Sequence, residues 1–286
     1  MTGVGTLANG TFTFEGHTLS YESHGQGDRV VVLLHGILLA ANVNRRVAEE
    51  LCAHGYRVVL LDLLGHGRSS RPGHASLHRM DLYAKQVLAL LDELELSAAV
   101  IGGVSLGADV ALQVAVAAPE RVRALIVEMP VLENAAPVAA LLFVPMMLTL
   151  HYLQPLFRTV ARLARRMPRP GHGLVDGILD MASADPHETA AVLHGVLLGP
   201  VAPTLEERAA LKMPALVIGH RSDALHPYSD AANLAQQLPD AELLEARSIA
   251  ELRRSPERLT SVIVRFVDRV WDGTHRTAAP SVPRTG

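Results

Sequence analysis

Ala98-Ala99-Val100-Ile101-Gly102-Gly103-Val104-Ser105-Leu106-Gly107-Ala108-Asp109 joins an apolar run to an amphipathic one across a serine set between glycines. Ala98 to Val104 reads as a strand buried on both faces, and Leu106 to Ala118 carries apolar residues at helical spacing. Gly103 and Gly107 permit a tight strand-to-helix turn, which lifts the Ser105 hydroxyl out of the sheet onto a helix N-terminus. A nucleophile needs that exposure. A serine that merely caps a helix in a glycine-rich turn has the same five letters, so the surrounding sequence must separate the two readings.

Outward from this turn, Arg29 to Leu34, Arg57 to Asp62 and Val122 to Val127 are further nearly continuous apolar runs. Arg45 to His54 and Leu77 to Leu94 between them have helical spacing. Strand and helix alternate, which predicts an α/β fold with a doubly wound, mostly parallel sheet. Thr11 to Phe14 and Thr18 to Glu22, with a turn at Gly16, predict an antiparallel hairpin ahead of it. The rhythm stops after Pro130 and resumes at Pro214 with a strand at Ala215 to Ile218, a helix, a strand at Glu242 to Glu245 and a helix from Pro256 to Trp271. The expected organisation is therefore a core of residues 1–130 and 208–272, a helical cap insertion over 131–207 and a flexible tail over 273–286. Ala140 to Leu163, Leu174 to Met181 and His187 to Leu198 are the expected cap helices, with Gly171-His172-Gly173 as a loop.

Composition bounds the partners. Hydrophobic residues make up 49% and charged residues 19%, which excludes disorder over most of the length. A net charge of −3 leaves no basic surplus for a phosphate backbone, so a small molecule, and not nucleic acid, is the expected partner. A homo-oligomer is compatible with this composition. Cys52 is the single cysteine, and the first ten residues have neither a basic start nor an apolar stretch, so a cytoplasmic location is expected. The most apolar segment, Ala139 to Leu153, is shorter than a span of about 20 residues and contains Pro145, so no stable membrane insertion is expected. His74, His78 and Asp81 share a helical spacing but supply too few ligands for a metal, and their expected place is a solvent-facing helix start. No Gly-Lys-Ser/Thr loop or dinucleotide fingerprint follows any strand, and neither metal nor cofactor is expected.

His35-Gly36-Ile37 follows the strand ending at Leu34, and Asp62-Leu63-Leu64-Gly65-His66-Gly67-Arg68-Ser69 follows the next. With Gly103-Val104-Ser105-Leu106-Gly107, in this order and at these intervals, they resemble the α/β-hydrolase family over nearly the whole chain. The resemblance implies Ser105 as nucleophile and an oxyanion hole made by the backbone N–H groups of Ile37 and Leu106. Losing one such donor typically costs about 3–4 kcal/mol of barrier. It gives His35 and His66 no proton-transfer role; His35 and Gly36 are expected to border the substrate pocket. The acid is implied in the loop after the strand that follows the cap, where Asp223 fits. Glu128, at the end of the strand before the cap, is a second candidate.

The chain departs from the family at the histidine. Most members carry it in the loop after the last strand, shortly before a Pro-Glu that opens the final helix. Pro256-Glu257 is present, but Ala246 to Ser255 contains no histidine, and Ser248 or Ile249 stands in its place. Without a base a serine hydroxyl is a weak nucleophile. His226, three residues after Asp223, is the expected substitute, oriented by Asp223 or by Glu251. The cap segment from Leu141 to Phe157, with Met146 and Met147 as expected pocket residues, suggests an apolar acyl or terpenoid-like substrate, although such residues also serve simple packing or a dimer contact. Arg158, Arg162, Arg165, Arg166 and Arg169 read as a solvated helix face. The function expected is hydrolysis of a carboxylic ester. A degenerate ligand-binding protein on the same fold, and a lyase or cyclase of secondary metabolism, remain open at this point.

Overall fold

The computed structural model describes residues 7–168, 179–180 and 182–273. Eight strands form one sheet in the order β1-β2-β4-β3-β5-β6-β7-β8. They are β1 (Leu7–Phe14), β2 (His17–His24), β3 (Val30–Leu34), β4 (Arg57–Asp62), β5 (Ala99–Val104), β6 (Val122–Glu128), β7 (Ala215–His220) and β8 (Ala241–Ala246). β1 and β2 are antiparallel to each other, and β2 to β4; the remaining pairings are parallel. The doubly wound sheet and its leading hairpin are thus as the sequence predicts.

The core helices are α1 (Arg45–Ala53), α2 (Met80–Glu93), α3 (Leu106–Ala117), α8 (Tyr228–Gln237) and α10 (Glu257–Trp271). Two apolar layers result, because successive residues of a strand point to opposite faces. Val32, Leu34, Leu61, Ile101 and Val217 pack with residues of α2, α3 and α8, while Val31, Leu33, Leu60, Val100 and Ile218 pack with those of α1 and α10. Burial on both faces is why the strands read as unbroken apolar runs. The chain runs from β3 to β4 on one side and then crosses to β5 on the other, so the order reverses beside β3. At such a reversal the C-terminal ends of parallel strands open a crevice, and open α/β sheets place their sites there.

Between β6 and β7 the chain forms α4 (Ala135–Tyr152), α5 (Gln154–Arg166), α6 (Pro186–Val196) and α7 (Leu205–Ala209); a short α9 (Glu251–Arg254) follows β8. The single expected helix over Ala140 to Leu163 is therefore two. Pro155, in the first turn of α5, has no N–H to extend α4 and disfavours helical geometry at Gln154. The insertion is anchored by two buried carboxylates. Asp230 accepts hydrogen bonds from the backbone N–H groups of Leu132, Asn134 and Ala135 at the start of α4, and Asp109 accepts one from Val131.

Two further expectations are corrected. Leu77 to Leu94 is not one helix: a 3-10 turn at Ala75–His78 precedes α2, with Arg79 extended between them. His78 is buried rather than solvent-facing, with Nε2 bonded to the Pro72 carbonyl at 2.9 Å and Nδ1 facing the Tyr83 hydroxyl at 3.2 Å. The apolar segment is also longer than read. α4 has 18 residues and a mean hydropathy of 1.6, sufficient by length and composition to cross a membrane. Most of the expected helix at 174–181, of which only 179–180 are described and are helical, the loop at 171–173, Arg169 and nearly all of the tail lie outside the described residues.

Candidate active site

β3, β5 and β7 point the same way, so the turns after Leu34, Val104 and His220 meet at one edge of the sheet. Ser105 sits in the second turn with φ +54 and ψ −117, a strained conformation for a residue with a Cβ. Close approach explains the flanking glycines. A Cβ at Gly103 would lie 2.4 Å from the Gly107 carbonyl, and one at Gly107 would lie 2.6 Å from the Leu34 carbonyl. Neither contact is tolerable, so the motif permits the bend by removing two side chains. The Ser105 N–H donates to the Glu128 carbonyl at 2.9 Å, tying the turn to the end of β6.

The imidazole comes from the loop after β7. His226 Nε2 is 2.9 Å from Ser105 Oγ, and His226 Nδ1 is 2.8 Å from Asp223 Oδ2. A carboxylate only accepts, so Nδ1 carries a proton, and the tautomer with its proton there offers the Nε2 lone pair to the Ser105 hydroxyl. The loop is organised around Asp223. Its Oδ1 accepts the N–H groups of Leu225 and His226 at 2.8 and 3.0 Å, leaving Oδ2 for the ring. Burial pushes the Asp223 carboxyl up, but these backbone donors and the His226 ring outweigh it and hold the carboxyl below its usual range. Asp223 and His226 side chains are each about nine-tenths buried.

The other two acids are engaged elsewhere. Glu128 is fully buried and pairs with Arg253 of α9, while His220 Nε2 lies 3.3 Å away. Burial raises the Glu128 carboxyl, and Arg253 and His220 together more than reverse it. Glu251 binds Arg258 at 2.6 Å and the Arg247 N–H at 2.6 Å. The structure thus brings together Ser105, His226 and Asp223, and does not bring Glu128 or Glu251 to the imidazole. Arg253 and His220 are the residues that sequence reasoning missed. No local pattern marks them, because their partner is supplied by a distant strand.

Leu106 is the first residue of α3, so its N–H has no acceptor within the helix. Ile37 lies in the turn closed by the Leu39 N–H donating to the Gly36 carbonyl, with Leu38 at φ +59. His35 is buried between the Gly36 carbonyl at Nδ1 and the Leu63 N–H at Nε2, and burial lowers its basicity. Both ring nitrogens are used, which gives it the structural place expected. A methyl group added to Gly36 would lie 3.3 Å from Leu39 Cδ1 and 3.7 Å from Ser105 Cβ. Leu38, Leu39 and Ala40 in turn line a cavity of about 520 Å³ that runs toward Arg45, Arg68 and Arg71 of the core and Asp185 and Glu188 of α6 and its approach. Ser105 and His226 do not line it, nor do His35 and Gly36, nor Met146 and Met147, which are half-buried on α4. Among the described residues no group of three or more His, Cys, Asp or Glu side chains is placed to hold a metal ion.

Residues 29–148 match the model of the alpha/beta hydrolase fold. A 2-hydroxy-6-oxononadienedioate/2-hydroxy-6-oxononatrienedioate hydrolase from Dechloromonas aromatica is 33% identical over 244 residues, covering 79% of this chain and 81% of that protein. A pimeloyl-[acyl-carrier protein] methyl ester esterase from Citrobacter koseri is 45% identical over 106 residues, covering 37% and 38%. The alignments with several such curated relatives span only about two fifths of those proteins' length. The crystal structure of the enol-lactonase from Burkholderia xenovorans superposes with a TM-score of 0.71 at 19% identity, over 91% of this chain and all of that one. With a match that spans four fifths of both sequences, and with the sheet order and strained serine turn described above, this chain belongs to the alpha/beta hydrolase family.

Proposed function

We propose that the protein is a serine hydrolase of carboxylic esters or related acyl compounds, with Ser105, His226 and Asp223 as its catalytic triad. One observation carries the reading: the unbroken chain from Asp223 Oδ2 through both nitrogens of His226 to Ser105 Oγ, with each distance below 3 Å. In the first half-reaction His226 Nε2 takes the Ser105 proton as Oγ attacks the acyl carbon. Asp223 steadies the imidazolium so formed, and the N–H groups of Ile37 and Leu106 bind the oxyanion. His226 then returns the proton to the leaving alkoxide. Water, deprotonated by the same nitrogen, releases the acyl group from Ser105.

The relatives support an acyl substrate at the level of their names, one an oxo-dienoate hydrolase and one a methyl ester esterase. The helices between β6 and β7 act as a cap in this reading. For the substrate we propose an apolar acyl compound with a polar end. Leu38, Leu39 and Ala40, on the turn that carries Ile37, favour the apolar part, and the arginines and carboxylates farther along the cavity favour the polar end. A fluorophosphonate probe tests the nucleophile. The expected result is covalent labelling that Ser105→Ala abolishes and that His226→Gln slows by orders of magnitude; intact folded protein that never labels would refute the triad and leave a ligand-binding protein on this fold.

A further inference from the structure

α4 is an unusual helix for the surface of a water-facing domain. Ala135 is its only buried residue, and it presents Leu141 at 79% exposure together with Leu142, Leu148 and Tyr152. α5 continues this surface. At 100° per residue Leu156, Val160, Leu163 and Met167 fall within one narrow sector, and all are exposed. Phe157, Ala161 and Ala164 form the sector that faces the protein, and Arg158, Arg162, Arg165 and Arg166 form a third. Helix α5 therefore places an apolar stripe and an arginine stripe on either side of its outward face. From Ala135 to Val175 the sequence contains no Asp or Glu.

We propose that the α4–α5 hairpin is a monotopic docking surface for an anionic lipid bilayer, which it enters in the plane of the headgroups without crossing. Position forbids a span. The start of α4 is hydrogen-bonded to Asp230 of the core, and its length packs on α6, which itself lies against the Ala75–His78 turn of the core. Only its outer side is available to lipid. Charge selects the occupant. A second copy docking through the same hairpin would offer the arginines no carboxylate from it, since Ala135 to Val175 contains none, whereas a surface of phosphate headgroups accepts both stripes, the leucines beneath the headgroups and the guanidinium groups among them. Arg158 and Arg165 have protein partners in Asp185 and Ser183, and Arg162 and Arg166 on the same stripe are exposed.

Flotation of the full chain with vesicles tests this. The chain is expected to float with vesicles of phosphatidylcholine containing about one third phosphatidylglycerol, and to bind vesicles of phosphatidylcholine alone far more weakly. Added salt should weaken the binding. Each arginine near such a surface contributes about five-fold, so Arg162→Gln/Arg166→Gln should lower partition about 25-fold. Leu141→Asp/Leu163→Asp should lower it at least about ten-fold, with the thermal midpoint unchanged because both side chains are exposed. Absence of binding to the anionic vesicles, or binding that neither double variant weakens, overturns the proposal. So does a lipid-free dimer that Leu141→Asp/Leu163→Asp splits into monomers, since the face would then belong to a second copy.

Discussion

Two loops at the same edge of the sheet have opposite fates. The loop after β7 holds Asp223 and His226 three residues apart, with the carboxylate organising its own turn and the ring reaching Ser105. The loop after β8, from Ala246 to Ser255, holds no histidine; it sends Arg253 to Glu128 and the Ser248 carbonyl to His220. One loop aims an imidazole at Ser105, and the other pairs a buried carboxylate with Arg253. A histidine absent from one strand end is thus no proof of a dead site when another strand end lies within reach of the same hydroxyl.

The contrast breaks most directly at the first loop. His226→Gln or Ser105→Ala should lower kcat for a simple ester by about 10⁴-fold or more, and Asp223→Asn by about 10³–10⁴-fold, measured by steady-state turnover of folded protein. A smaller loss for His226→Gln would return the base to another residue. Restoring a histidine to the second loop should not help: Ile249→His in the His226→Gln background is expected to stay within about ten-fold of the parent variant, since Ile249 is half exposed and its loop is committed to Glu128 and His220.

At the second loop the expected damage is to stability. Glu128→Gln leaves Arg253 without its charge partner and should cost about 3 kcal/mol in denaturant unfolding, while turnover at 25 °C falls only a few-fold. pH sharpens this. The Glu128 carboxyl is held below its usual range, so its contribution is complete at neutral pH and is lost as pH falls through the depressed value. The difference in thermal midpoint between the native chain and Glu128→Gln should therefore narrow below about pH 4. The smallest effect is expected at Glu251→Gln, whose partner Arg258 is more than a third exposed, with a loss of about 1 kcal/mol or less.

Much of this was legible before any coordinates. Unbroken apolar runs mark strands buried on both faces and apolar residues at a period of 3.6 mark helices, so the sheet class and the helices between β6 and β7 follow from the order of residues. The serine turn is equally local, since Gly103 and Gly107 leave out the two side chains that would collide. Asp223 and His226 are neighbours in one turn and could be paired by eye. The break between α4 and α5 was less visible, because a proline near a boundary ends some helices and starts others.

The sequence by itself determined the α/β order, the strained elbow at Ser105 and the candidates for base and acid. Only the tertiary structure shows which of those candidates meet Ser105. Ser105 and His226 are 121 residues apart and meet because β5 and β7 run parallel with one strand between them. Glu128 is withdrawn from the choice by Arg253, 125 residues away. Bends and periodicities are set by neighbours along the chain, whereas the partner of a buried charge is set by whatever the assembled sheet brings within a few ångströms.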